Sequence, residues 1–192
     1  MKLVFIDAEY TGEHAYTTLV SLGLVTLDGR ELQINLDDYA QDQVTDWLRE
    51  NVLAHIDPAT CVDSPEAYRR LSSWIDAYAG GDRVHLVSAG LGSDLLLLFE
   101  LYQFAQPERT HFHALHCLPA SLNHAQHLDL NTLFLAAGHD PDGDRDEFVG
   151  NAVTGRRHDA LHDARLAREC FLKLLAAPEL VRFRAATAGE AP

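Results

Sequence analysis

Two carboxylates stand two residues apart near the start of the chain, within residues 5–12 (FIDAEYTG). They follow residues 2–6, a short apolar run of the kind that forms a buried strand. Side chains two apart on a strand point to the same face, so Asp7 and Glu9 would lie side by side where the strand ends. A carboxylate pair suits a hard divalent cation such as Mg²⁺, which takes oxygen ligands and keeps positions for water and phosphate. The alternative is that both are solvated residues at a strand end.

A second acidic position lies in residues 88–94 (SAGLGSD), between a predicted strand and a predicted helix. The small residues let the backbone approach a ligand closely. Asp94 falls in the first turn of the helix, where negative charge is favoured. The alternative is that Asp94 only caps its helix, as aspartates commonly do.

A histidine and an aspartate stand five residues apart in residues 157–165 (RHDALHDAR). Asp163 belongs to a stripe of positions three and four apart that a helix turns toward the core, where an unpaired carboxylate is costly. His158 would point away from Asp163 if both were helical, so we expect it on the loop or first turn before the helix. From there an imidazole can accept a proton near neutral pH. Alternatively, His158 caps the helix and Asp163 pairs with an arginine.

The order of the three segments resembles that of the DEDDh exonucleases, a branch of the ribonuclease H-like superfamily. The first segment supplies DxE, the second an Asp that opens a helix, and the third HxxxxD, so the resemblance spans residues 7–175. It implies an α/β fold with a ribonuclease H-like mixed β-sheet of about five strands flanked by helices. It also implies four acidic metal ligands and a histidine general base, which are Asp7, Glu9, Asp94, Asp163 and His158.

The resemblance implies hydrolysis by two Mg²⁺ or Mn²⁺ ions that clamp the scissile phosphate. Asp7 would bridge both ions, and Asp94 would serve the second ion. Glu9 and Asp163 would complete the site of the attacking water. His158 would accept the proton of that water, and nucleoside 5′-monophosphates would leave one at a time from the 3′ end.

Two further segments are similar to ribonuclease AS, an adenylate-preferring 3′-5′ exoribonuclease of the same family. These are residues 19–25 (LVSLGLV) and residues 47–53 (WLRENVL). This similarity implies single-stranded RNA as the substrate, with adenylate-rich 3′ ends as a preference, and a homodimer as the assembly. Tyr10 and Leu91 are candidates for contact with the terminal base, because they lie next to ligands in the sequence.

Two other functions compete with an exoribonuclease. A 3′-5′ DNA exonuclease of repair or proofreading type would differ in its contacts to the 2′-hydroxyl, which the sequence does not disclose. A noncatalytic nucleic-acid-binding module would keep the fold without the chemistry. The intact set of five residues argues against a module, since a binder has no need for all of them.

A histidine-rich region offers a different metal hypothesis. Its candidate ligands are His111, His113, His116, Cys117, His124 and His127. Their spacing does not match a structural zinc site, and their alternation fits a strand equally well. We therefore do not expect a dedicated zinc site.

Composition limits the class of protein. With 192 residues, 47% of them hydrophobic, the chain can bury one full core, so we expect one domain over residues 1–184 and a disordered tail over residues 185–192. A net charge of −14 disfavours broad binding to duplex DNA but is compatible with one single-stranded 3′ end in a local pocket. Basic residues concentrate late in the chain, at Arg156, Arg157, Arg165, Arg168, Lys173, Arg182 and Arg184.

The chain is expected to be soluble and cytoplasmic. Residues 1–7 do not resemble a signal peptide, and residues 95–99, the longest apolar run, are far too short to span a bilayer. Cys61, Cys117 and Cys170 form no CxxC pair and leave an odd number, so a disulfide framework is not expected.

These chemical groups need a scaffold, and hydrophobic patterning predicts one of alternating helices and strands. The predicted strands are residues 2–6, 18–27, 31–36, 84–88 and 111–117. The predicted helices are residues 44–55, 65–78, 94–104, 128–137 and 160–177.

Overall fold

A mixed sheet of five strands forms the centre of the protein in a computed structural model, which describes residues 1–90, 92–105, 118–122 and 127–188. The strands are β1 Lys2–Tyr10, β2 Leu19–Thr26, β3 Glu31–Asn35, β4 Val84–Ser88 and β5 His127–Asp129. Their order in the sheet is β3-β2-β1-β4-β5. The central strand β1 pairs antiparallel with β2 and parallel with β4. The predicted mixed α/β sheet is confirmed.

Seven α-helices flank this sheet in the described part of the chain. They are α1 Asp46–Asn51, α2 Ser64–Ala79, α3 Ser93–Phe104, α4 Leu130–Ala136, α5 Arg145–Phe148, α6 Ala160–Leu174 and α7 Val181–Ala188. None of the described helices is long and apolar enough to cross a bilayer.

Alternation along β1 divides the core into two layers. Val4 and Ile6 pack with the buried face of α2 and α3, whereas Leu3 and Phe5 pack with α4 and α6. The Phe5 ring meets Phe171 of α6 edge-on at 5.2 Å. Because side chains alternate along a strand, the odd-numbered residues that follow Phe5 continue on the side of α6. This alternation turns the two acidic residues at the end of β1 toward the last long helix.

The boundaries of several elements differ from those expected. Residues 128–137 were expected to be one helix, but their start pairs with β4 as β5, and α4 begins at Leu130. Asp129 ends β5 and caps α4, because its carboxylate accepts hydrogen bonds from the Asn131 and Thr132 backbone N–H groups. A short apolar run does not by itself separate a buried strand from a buried helix. The strand expected at residues 111–117 lies outside the described residues.

Other helices are shorter than the patterns indicated. The helix expected over residues 44–55 is α1 followed by a 3-10 turn, Leu53–His55, and α6 ends at Leu174. At the end of the chain, α7 continues to Ala188, and residues 189–192 lie outside the described part. The boundary of the domain at residue 184 stays a prediction.

Candidate metal centre

Three chain segments meet at one cavity of about 910 Å³. They are the end of β1, the start of α3 and the loop that leads into α6, which supply the three motifs of the sequence analysis. The lining includes Asp7, Glu9, Tyr10, Asp94, His158 and Asp163. Leu91, the remaining candidate, lies outside the described residues. Residues far apart in the chain therefore share one solvent-connected space.

Asp94 ties the start of α3 to the end of β1. Its Oδ1 accepts a hydrogen bond from the backbone N–H of Ala8 at 3.1 Å, between the two acidic residues of β1. The N-cap of α3 is Gly92, which has a φ of 80° and makes no side-chain capping bond. Asp94 is buried, with 8% of the residue exposed. Its main structural contact is thus with β1, and the capping alternative does not describe it.

Glu9, His158 and Asp163 form a compact group. One ligand atom of each residue lies within 4.8 Å of the others, a spacing that a metal ion can bridge. The His158 Nδ1 is 4.0 Å from Glu9 Oε1. Asp7 and Asp94 lie outside this compact group but line the same cavity.

His158 lies on the loop before α6, where the sequence placed it. Asp159 is the N-cap of α6 and accepts hydrogen bonds from the Leu161 and His162 backbone N–H groups. His158 has a φ of 63°, a left-handed conformation that is uncommon for residues other than glycine. The backbone N–H of His158 donates to Asp163 Oδ2 at 2.9 Å. The loop thereby holds the imidazole and the Asp163 carboxylate on the same side of the cavity.

Gly23 lets the start of α6 lie directly on the sheet. It pairs with Asp7 across β1 and β2. A Cβ atom at this position would be 2.1 Å from the carbonyl oxygen of Ala160, which opens α6. Sequence reasoning did not single out Gly23, although a glycine inside a strand pattern often marks close approach of another backbone. Without this approach, Asp163 would sit farther from Asp7.

Burial raises the proton affinity of all four carboxylates, and repulsion from the neighbouring carboxylates adds to the rise at Asp7 and Glu9. Burial, followed by repulsion from Asp94, Asp163 and Glu9, raises the pKa of Asp7 well above its usual value. Burial and the charges of Asp163 and Asp94 raise the pKa of Glu9 to about 7. Burial raises the pKa of Asp94 to about 7, although the Ala8 N–H and Arg145 oppose the rise. Burial also raises the pKa of Asp163.

This donor set fits a hard divalent cation. The negative charge of these neighbouring carboxylates is not balanced by nearby basic groups, and a bound cation would compensate it. Oxygen donors with one nearby imidazole are typical ligands of Mg²⁺ or Mn²⁺. Structural zinc sites, in contrast, are usually rich in thiolates. Within the ranges that the structure describes, the Glu9 group is the one that meets the geometric criterion for holding a metal.

The proposed pairing of Asp163 with an arginine is not what the structure shows. The nearby Arg165 instead bonds Glu31 of β3 through Nε at 2.8 Å and Nη2 at 2.6 Å. Burial outweighs the attraction of His162 and His158 at Asp163 and leaves the pKa of its carboxyl raised. Among the described residues, no arginine neutralises the Asp163 carboxyl group, which lines the cavity where a ligand can reach it.

Sequence reasoning missed two side chains of the cavity wall. Trp47 of α1 is 52% exposed and meets the imidazole of His158 edge-on, with ring centroids 4.9 Å apart. Arg145 opens α5 and also lines the cavity. Trp47 stands among the mostly polar residues 45–51 (TDWLREN), and a large aromatic residue in such a segment is the signal that could have identified it. Arg145 carried no such signal, because its segment reads as a polar turn.

The histidine-rich region contributes one described residue. His127 Nε2 hydrogen bonds with the hydroxyl of Ser88 at 2.9 Å. The other five candidate zinc ligands lie outside the described residues. The expectation that this region has no dedicated zinc site stays a prediction.

Comparison with known proteins finds likeness in structure alone. No protein-family model matches the chain, and no curated protein matches it. Among solved structures, the chain is similar to S. pombe Pop2p in its Mg²⁺- and Mn²⁺-bound form, with a TM-score of 0.62 and 15% sequence identity. The match covers 92% of this chain and 83% of that chain. The likeness shows a shared fold, the ribonuclease H-like α/β fold.

Proposed function

We propose that the protein is a metal-dependent nuclease that removes nucleoside 5′-monophosphates from the 3′ end of single-stranded RNA. One observation carries the proposal: Asp7, Glu9, Asp94, Asp163 and His158 line the same cavity of a ribonuclease H-like fold. The order and types of these residues match the DEDDh pattern. A protein of the same fold, Pop2p, was solved with Mg²⁺ and Mn²⁺, which supports the same ions here.

The carboxylates would hold these ions at the end of β1. Glu9 and Asp163 belong to the compact group, while Asp7 and Asp94 extend the donor set along the cavity. When bound, divalent ions lower the pKa of a water molecule and neutralise charge on the scissile phosphate. The Ala8 N–H bond keeps Asp94 fixed, so this ligand needs no rearrangement on binding.

His158 is the candidate general base. Its side chain is 48% exposed, so the imidazole can take a proton from water in the cavity and release it to solvent. The contact with Trp47 restricts the ring, and the bond from its backbone N–H to Asp163 Oδ2 fixes the loop. These contacts hold the proton acceptor beside Glu9 and Asp163.

The cavity favours a single strand over a duplex. Its volume of about 910 Å³ is at the upper end of the ~300–1,000 Å³ of small-molecule sites, enough for a terminal nucleotide. Trp47 and Tyr10 offer aromatic surface on which a base can stack. The net charge of −14 disfavours extended contact with the phosphates of a duplex.

The narrower assignment is to the ribonuclease AS type, with adenylate-rich 3′ ends as the preferred substrate. It is supported by the similarity of residues 19–25 and 47–53 to that type. The same similarity supports a homodimer. Light scattering coupled to size-exclusion chromatography gives the assembly directly, and a monomer would contradict this part of the proposal.

Digestion of 5′-labelled oligonucleotides tests the function. We expect Mn²⁺ to give progressive shortening of oligo(A) and mixed-sequence RNA from the 3′ end, with nucleoside 5′-monophosphates as products and no reaction in EDTA. DNA of the same sequence, run in parallel, tests the alternative of a DNA exonuclease. Faster digestion of DNA than of RNA would favour that alternative.

Variants connect the activity to the cavity. His158→Ala should lower kcat at least about a hundredfold, since general bases contribute ~10²–10⁴-fold. Asp7→Ala should lower kcat by at least a similar factor, because it removes a metal ligand. Asp82→Asn is the control, because Asp82 is 72% exposed and pairs with Lys2. Activity within a few-fold of wild type in either cavity variant would contradict the assignment.

A further inference from the structure

Two arginines line the cavity, and they differ in their hydrogen-bond and ion-pair partners. Arg157 bonds the carboxylates of Asp144 at 2.7 Å and Asp146 at 3.0 Å. Arg145 takes part in none of the ion pairs among the described residues, and its Nη2 donates to the neutral amide oxygen of Asn131 at 2.7 Å. Its Nε is buried and has no hydrogen-bond partner.

A buried N–H of a guanidinium group without a partner is costly. Almost all buried donors in folded proteins are paired, so each exception calls for a missing partner. Arginine stays charged at any physiological pH, so it cannot lower this cost by losing its proton. An anion bound in the cavity would compensate this charge and, after a small movement of the side chain, accept a hydrogen bond from Nε.

The position of Arg145 identifies where this anion would lie. Its positive charge acts on Asp7 and Asp94, the two carboxylates outside the compact Glu9 group. An anion between this guanidinium and a cation on those carboxylates must have oxygen atoms for both partners. A phosphate group meets that need, because its oxygens can bind a metal ion and accept from an arginine at the same time.

The segment that carries Arg145 is fixed before any ligand arrives. Arg157 holds both residues that flank it, Asp144 and Asp146. Asp144 also caps α5 by accepting from the backbone N–H of Glu147 at 3.1 Å. The bond to Asn131 holds one end of the guanidinium. A side chain held in this way loses little freedom on binding, which favours affinity.

We propose that Arg145 is a catalytic residue that binds the phosphate group at the metal centre by donating from Nε to one of its oxygens. The inference rests on the proposed function for the identity of the substrate, a phosphodiester of a nucleic acid. The same phosphate remains on the product, so a nucleoside 5′-monophosphate is a stable probe of the contact. Asn131 acts as a positioning residue for the guanidinium.

Calorimetric titration of adenosine 5′-monophosphate into the Mn²⁺-loaded protein tests the contact. We expect Arg145→Met to weaken the affinity by about tenfold to a hundredfold, as for loss of a hydrogen bond to a charged group. Arg145→Lys should also lose at least about tenfold, because an ammonium group does not reproduce the guanidinium fork. Arg69→Met is the control, since Arg69 is exposed on α2 and pairs with Glu66.

Two further readouts separate this role from others. Mn²⁺ affinity without nucleotide should be equal to or tighter than wild type in Arg145→Met, because a nearby positive charge is removed. The affinity for adenosine, which has no phosphate, should differ by less than twofold between the variants and wild type. The melting temperature of Arg145→Lys should stay within a few degrees of wild type.

Several results would overturn the inference. The first is a nucleotide affinity within twofold of wild type in both Arg145 variants, and the second is failure of the wild type to bind the nucleotide. The third is a loss of Mn²⁺ affinity in Arg145→Met as large as its loss of nucleotide affinity. The fourth is unfolding of Arg145→Lys. If the wild type degrades no nucleic acid but its nucleotide affinity depends on Arg145, the proposed function fails and the inference stands. If the wild type digests RNA but its nucleotide affinity does not depend on Arg145, the proposed function stands and the inference fails.

Discussion

In the metal-free protein, the stability of Asp94→Asn relative to wild type should increase as the pH rises. Burial raises the pKa of Asp94 from 3.8 to about 7, so the folded protein keeps a proton that the unfolded chain has already lost. The stabilising contribution of this proton is complete below the unfolded pKa and disappears as the pH rises through the folded pKa. Asn has the same shape, cannot ionise, and can still accept from the Ala8 N–H.

The size of the effect follows from that pKa. At about 1.4 kcal/mol per pKa unit, the two pH units between pH 5 and the pKa near 7 correspond to about 3 kcal/mol. The stability of Asp94→Asn relative to wild type should therefore increase by about 3 kcal/mol between about pH 5 and pH 8.5. Proton sharing with Asp7 spreads this change over a wider pH range.

Urea unfolding in EDTA at several pH values measures this difference. Asp82→Asn serves as the matched control, because it makes the same chemical change at an exposed carboxylate outside the cavity. Excess Mn²⁺ should reverse the order, since a ligand that binds only the folded state stabilises it in proportion to its affinity. A stability difference for Asp94→Asn that does not change with pH would refute the electrostatic reasoning.

Two other predictions test the packing and the rim of the cavity. Gly23→Ala should destabilise the protein by about 3 kcal/mol or more and lower Mn²⁺ affinity, because the new Cβ would overlap the Ala160 carbonyl at 2.1 Å. Gly143→Ala is the control for stability alone, because its new Cβ would come no closer than 3.3 Å to the Asp140 carbonyl oxygen. Equal melting temperatures of the two variants would contradict the close-approach argument. Trp47→Ala should lower kcat/KM on oligo(A) by about tenfold, through loss of base stacking and of the contact with His158. Trp47→Phe should recover part of that loss, and unchanged kinetics in Trp47→Ala would exclude a role for the indole.

The parts of the candidate site that sequence could predict depend on local geometry. Asp7 and Glu9 share a face because strand side chains alternate, and the spacing of His158 and Asp163 excludes a common helical face. Both arguments need only a few neighbouring residues. The convergence of these segments was implied by the family resemblance, because spacing along the chain does not show which segments meet.

The parts that sequence could not predict depend on contacts between distant elements. Gly23 matters because the first turn of α6 crosses β2 at that point, which no pattern within β2 reveals. Arg145 reaches the cavity because Arg157 and Asn131 hold its segment against the site. The boundary between β5 and α4 depends on pairing with β4, so an apolar run alone did not locate it.

Anomalous diffraction from crystals soaked in Mn²⁺ tests the central claim most directly. The account predicts strong peaks within coordination distance of the carboxylates of Asp7, Glu9, Asp94 and Asp163, with the imidazole of His158 beside them. Peaks should weaken in crystals of Asp94→Asn. A map with no peak at these carboxylates, at Mn²⁺ concentrations that support catalysis, would contradict the account.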